Sequence, residues 1–167
     1  MNAIPDPDPD PPCSVDVVSL DPIDRLGVHL SSVWEDEDMY EVEIRASNGR
    51  FTGKARCYTT REQITELARC VDGFPKSTLH KFHFSTHSGD NFSYFDLNFR
   101  CVDGRGGVVV RVKVADIVRF SNAPGTNDIV EFDLGLEPAA IDNFAKDLFA
   151  LAEAKIGEKS ALLHAKK

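Results

Sequence analysis

No stretch of this chain approaches the roughly 20 consecutive apolar residues that cross a bilayer. The first residues, Met1 to Asp6, have neither the basic start nor the apolar run of an export signal. The expectation is a soluble cytoplasmic protein. Cysteine is sparse: Cys13, Cys57, Cys70 and Cys101 are the four, and no two share a CxxC spacing. The absence of that spacing excludes a zinc ribbon or a thioredoxin-type motif, and buried free thiols are expected instead of bridges. Positive charge is in deficit, with 19 Lys and Arg against 27 Asp and Glu and a net charge of −8. Non-specific nucleic-acid binding runs on Lys and Arg, so that class is disfavoured.

What remains is an ordinary globular balance, 42% hydrophobic and 28% charged over 167 residues. One domain is expected at that length. The charge is distributed unevenly. Residues 1–43 hold twelve acids and only Arg25 as a base, a net −11, while residues 44–167 carry a net +3. Such asymmetry points to a charged partner, although acidic loops also solvate a surface.

Residues 5–12 alternate proline with aspartate, which removes backbone donors and favours polyproline II. Residues 1–12 are expected to be a disordered arm, residues 13–157 one domain, and residues 158–167 a flexible tail. Within the domain, Cys13–Leu20 and Arg25–Trp34 read as strands joined at Asp21-Pro22, and Glu35 to Asp38 as a loop. Met39–Ser47 and Arg50–Thr59 flank Asn48-Gly49, a strong two-residue hairpin signal. A tight turn there pairs Ala46 with Phe51, Ile44 with Gly53, Val42 with Ala55 and Tyr40 with Cys57. On the other face it sets Glu43 against Lys54 and Glu41 against Arg56. Apolar meets apolar and acid meets base.

Thr60 can cap a helix with Gln63 in a capping box, with Ile64, Leu67, Ala68 and Val71 as the apolar stripe and Gly73 and Pro75 as the stop. Strands follow at Leu79–His87, Phe92–Cys101 and Gly107–Arg119. A turn at Asp103-Gly104 pairs Phe99 with Val108, Leu97 with Val110, Phe95 with Val112 and Asp96 with Arg111, unless a bulge at Gly106-Gly107 intervenes. Ile129–Leu134 is the last strand, after a turn at Ala123-Pro124-Gly125. The final helix starts at Pro138, with Ile141, Phe144, Ala145, Leu148, Leu151, Ala152 and Ile156 as its apolar face and Gly157 at its C-terminal turn. The expected fold class is α+β: a curved antiparallel sheet of about eight strands with two helices, in the order ββββαββββα.

Catalytic and metal signals are weak. His83 and His87 point to one side of a strand about 13 Å apart, and His80 points to the other, so one metal cannot gather them. Cys57 and Cys101 alternate with core aromatics, and Cys70 lies off the helix stripe. Nothing supplies a nucleophile with a base. The glycines at 104, 106 and 107 precede a strand instead of a helix, so they do not form a phosphate loop. No catalytic residue, cofactor or metal is expected. The polar strand faces, with Tyr94 and Arg100 among them, suit a protein partner.

The run of motifs resembles a known group. It comprises Phe51-x-Gly53 after a hairpin, Ile64 and Leu67 on a short helix, Asp96-x-Asn98 on a strand, Gly106 to Val108, and Glu131 to Asp133 before the last helix. These features resemble the WapI-type immunity proteins of bacterial polymorphic toxin systems over about residues 39–156. The resemblance implies a non-enzymatic protein that neutralises a cognate toxin by direct binding. It offers no catalytic residues to transfer, and the acidic run lies outside it. The candidate contacts are Trp34, Glu35, Asp36, Glu37 and Asp38, facing a basic toxin, together with Tyr94 and Arg100. Trp34 reads equally as an anchor or as a core residue at a strand end. The alternatives are an adaptor or subunit of a larger cytosolic assembly, and an enzyme whose site the sequence does not reveal.

Overall fold

The structure, a computed structural model, describes residues 26–104, 107–117 and 127–166. The proline-aspartate arm, the expected strand Cys13–Leu20, the Asp21-Pro22 joint, the Gly106 bulge and the turn at Ala123-Pro124-Gly125 lie outside the described residues.

The described chain forms β1 (Gly27–Glu35), β2 (Tyr40–Ser47), β3 (Thr52–Thr59), α1 (Arg61–Val71), β4 (Lys81–Ser85), β5 (Tyr94–Cys101), β6 (Val108–Ile117), β7 (Asn127–Leu136), α2 (Pro138–Glu153) and β8 (Ser160–His164). The class is α+β with every strand pairing antiparallel. The strands divide into two four-stranded sheets, β3-β2-β1-β8 and β4-β5-β6-β7, instead of one curved sheet.

Both hairpins keep the expected facing but move every partner by two residues. Asn48-Gly49 does not close a two-residue loop. That turn needs positive φ at both central positions, and only Gly49 has it, at 85°. The Asn48 side chain instead accepts from the backbone N–H groups of Arg50 and Phe51, at 3.0 and 2.9 Å. This Asx turn lengthens the loop to four residues. Ser47 then faces Thr52, Ala46 faces Gly53, Ile44 faces Ala55 and Val42 faces Cys57. Phe51 is expelled from the sheet and stands 56% exposed. In the second hairpin, Asp103 accepts from the Gly107 N–H at 2.9 Å. Cys101 becomes the last partner of Val108, and Phe99 pairs with Val110, Leu97 with Val112 and Phe95 with Val114. A shift of two leaves each side chain on its own face, so the apolar pattern cannot detect it.

The capping box forms as the spacing requires. The Thr60 hydroxyl accepts from the Gln63 N–H, and the Gln63 side chain accepts from the Thr60 N–H. Ile64, Leu67, Ala68 and Val71 are buried, and Gly73, at φ 66°, follows the helix. α2 begins with Pro138 in its first turn and buries Ile141, Phe144, Ala145, Leu148, Leu151 and Ala152. It ends at Glu153, with Ala154 as its cap, so Ile156 and Gly157 belong to the turn beyond it.

That turn leads to the main departure from expectation. The C-terminal segment, expected as a flexible tail, is a strand. β8 pairs with β1 from Ser160 opposite Ser31 to His164 opposite Gly27, and Ala161 and Leu163 are fully buried. The five residues Ser-Ala-Leu-Leu-His are too few, and alternate too little between polar and apolar, for periodicity to stand out. α2 packs on α1 and on β8, and β3 packs across β5 and β6 of the second sheet. One core therefore joins both sheets and both helices. Full burial of each large aliphatic or aromatic side chain in it contributes about 1.5–3 kcal/mol. Among the described residues, no helix is long and apolar enough to cross a membrane.

Candidate functional site

β1 alternates regularly from Val28 to Ser32, with Val28, Leu30 and Ser32 facing the core. Continued alternation would send Trp34 inward as well. A bulge intervenes: Ser32 faces Val42, whereas Trp34 faces Glu41, so Val33 is the extra residue. Residues directly opposite in an antiparallel pair share a face. Trp34 therefore joins Glu41 on the outer face and stands 46% exposed. It is thus not a core residue at a strand end.

The acidic run after Trp34 divides into two pairs of residues. Glu35 is held by Arg61 through both carboxylate oxygens, with Nη2 to Oε2 at 2.7 Å. The hydrogen bond from that guanidinium holds its carboxyl below the usual carboxylate range. Asp36 is used internally too, since its side chain accepts from the N–H groups of Asp38 and Met39 at 3.0 and 2.8 Å. These two residues build the turn. Glu37 and Asp38 are exposed on it, with Met39 38% exposed beside them. A shallow groove of about 130 Å³ lies between this turn and the start of α1, lined in part by Asp38, Met39, Thr60 and Arg61.

Tyr94 and Arg100 lie on the other sheet, and both are engaged there. The His87 ring meets Tyr94 edge-on at 4.6 Å between centroids, and the Lys113 ammonium sits 5.2 Å above the Tyr94 ring. Arg100 bonds Asp133 at 3.2 Å. Asp96 does not pair with Arg111 as expected. It faces Lys113 and lies 3.9 Å from His83, while Arg111 binds Asp133 at 2.8 Å. The outer surface of the second sheet is therefore a ladder of satisfied charges.

The expected Glu43–Lys54 contact is present, but as one part of a larger charge cluster on the first sheet that the sequence reading did not show. Glu43 is only 6% exposed, and it faces Arg45 at 2.7 Å and Lys54 and Arg56 at 3.3 Å. The two-residue register shift brings Arg56 opposite Glu43 and Lys54 opposite Arg45. Arg45, two residues from Glu43 on the same strand face, was the available signal. Glu41 meets Tyr58 instead of Arg56. Burial works to raise the Glu43 carboxyl, and the hydrogen bonds and charges of Arg45 and Lys54 outweigh it, so the group stays below its ordinary range.

The remaining reactive groups do not converge. Burial pushes the Cys57 thiol up to about 12, which leaves almost no thiolate at neutral pH. Cys101, expected as core, is half-buried at a strand end with its Sγ against the Asp103 carbonyl. His80 accepts the Lys76 N–H and packs on Phe74. His83 and His87 face separate carboxylates, Asp96 and Asp90. Comparison of the chain with protein-family models, with curated proteins and with solved structures gives no match, so its role has to be argued from this surface.

Proposed function

We propose that this chain is a non-enzymatic binding protein, a cytosolic immunity protein that neutralises a cognate basic toxin by direct contact. The observation that carries the reading is the single tryptophan, turned outward by a bulge beside an acidic turn whose shape is already fixed. Trp is the residue type most enriched among interface anchors. Arg61 and the Asp36 side chain hold the turn before any partner arrives, which lowers the ordering cost of binding. Glu37 and Asp38 then offer negative charge that speeds encounter with a basic surface and selects against acidic ones. Glu35 and Asp36 act as supports for the contact, and Trp34, Glu37, Asp38 and Met39 make it.

The test is a tagged pull-down from the native organism at low and high salt, run beside Trp34→Ala and Glu37→Lys/Asp38→Lys. One basic protein retained at low salt, weakened by high salt and lost from both variants is the expected result. Equal capture by all three forms sinks the assignment of this surface. Recovery of a large housekeeping complex moves the reading to an adaptor or subunit of that assembly.

A further inference from the structure

The outer face of the sheet β3-β2-β1-β8 is electrically bipolar along its strands. At one end stand Glu37 and Asp38 on the β1–β2 turn and Glu41 on β2. At the other stand Arg45, Lys54 and, on the β2–β3 turn, Arg50. Glu43 marks the midpoint, sharing its single carboxylate among Arg45, Lys54 and Arg56. That cluster is therefore cationic overall. Lys54 and Arg56 keep side-chain exposures of 51% and 58%, so their charge reaches solvent.

This arrangement is antisymmetric about the row of Ser31, Glu43 and Arg56. On that row each residue meets its own copy, with the Arg56 cation offset by the Glu43 carboxylate 3.3 Å away, and to either side of it the surface is complementary to itself. We infer that the face is the interface of a homodimer, occupied by a second copy of this chain. The twofold axis crosses the strands at the level of Glu43 and Ser31, which face each other in register. Rotation about it reverses strand direction while each strand stays over its counterpart. Glu41 then lies over Arg45 of the second copy, and Tyr58 over Lys54 of the second copy. Trp34 lies over His29 of the second copy, and Glu37 and Asp38 lie towards its Arg50. Each contact occurs twice, as a closed twofold interface requires. Two sheets packed face to face in near alignment are a standard geometry. The Tyr58 ring, braced edge-on by Phe92 with centroids 6.1 Å apart, presents an aromatic surface to the cation.

The inference does not rest on the existence of a foreign partner. It adds a consequence if one exists: Trp34 and the acidic turn would be shared, so toxin and second copy would compete for them.

Sedimentation equilibrium of the full chain, over a wide concentration range at low and high salt, tests it. The expected result is a reversible dimer at low salt that weakens as salt screens the contacts. Arg50→Glu/Lys54→Glu and Glu37→Lys/Asp38→Lys should each weaken self-association by about tenfold or more, because like charges then face each other. An equimolar mixture of the two variants should restore the dimer as a heterodimer. That rescue separates a charge effect from misfolding, as does the Arg50→Glu single variant, whose side chain lies exposed on a turn. A monomer at every concentration and salt overturns the inference and leaves the face to another occupant. A dimer indifferent to both charge swaps overturns it as well. Neither result bears on capture of a toxin in the pull-down.

Discussion

Arg61 holds Glu35 through two parallel hydrogen bonds and, with its remaining nitrogen, donates to the carbonyls of Ala152 and Ala154. One guanidinium at the first position of α1 thus ties the end of β1 to the end of α2. Its charge also sits 4.8 Å above the Tyr40 ring, and the Tyr40 hydroxyl donates to the Leu151 carbonyl. The last turn of a helix leaves carbonyls without partners and carries partial negative charge, so a cation there is doubly favourable.

Arg61→Ala should therefore cost about 1–3 kcal/mol of stability, the range for lost hydrogen bonds to a charged group. Urea denaturation measures it. Glu35→Gln should cost less, because it leaves the carbonyl contacts of Arg61 in place. Arg61→Lys should recover little, since an ammonium cannot span a bidentate carboxylate and two carbonyls together. Equal losses for Arg61→Ala and Glu35→Gln would show that the helix contacts contribute nothing.

Glu43 gives a pH dependence. Its folded-state pKa lies below the unfolded value, so its contribution is complete above the unfolded glutamate pKa of about 4.3 and is lost as pH falls through the folded value. Glu43→Gln should lose about 1–3 kcal/mol at neutral pH, because three cations are left without their shared partner. The gap between variant and parent should shrink as pH falls below the unfolded value and close once the folded-state carboxyl is protonated. Denaturation midpoints across a pH series check this, and a constant gap contradicts it.

Gly53 marks the crossing of the two sheets. A Cβ at this position would lie 2.3 Å from Val130 Cγ1 and 3.1 Å from Val114 Cβ. Gly53→Ala should destabilise by about 1–3 kcal/mol through overpacking. Adding Val130→Ala should recover part of that loss by removing the clashing methyl groups. A double-mutant cycle reads the coupling, and strict additivity would mean that the sheets do not meet there.

The C-terminal strand is testable at Leu163, which has no exposure. Leu163→Ala should cost about 2–5 kcal/mol, the range for a buried leucine. A residue in a loose tail would cost almost nothing. Stopping the chain before Ser160 should cost more, because it opens the edge of β1 and uncovers the face of α2 that packs on β8.

Much of this protein follows from its sequence alone. The capping box at Thr60 and Gln63, the stripe of α1, the start of α2 at Pro138 and the inward face of β2, β3, β5, β6 and β7 are local properties. Side-chain period and backbone capping decide them within a few residues. The acidic turn was legible too, because charge is a property of the residues themselves.

Tertiary structure decided what depends on choices of equal local merit. Loop length in each hairpin was one. A register shift of two leaves every face unchanged, and the side chains of Asn48 and Asp103 selected the longer loops. The exposure of Trp34 was another, fixed by a bulge at Val33 that no periodicity announces. The pairing of Ser160–His164 with β1 was the third. It is a contact across the length of the chain, and only the free edge of that strand and the exposed face of α2 make it favourable. The division of Glu35 and Asp36 from Glu37 and Asp38 followed from the same cause, since Arg61 bridges Glu35 and the end of α2 only once α1 has packed on α2.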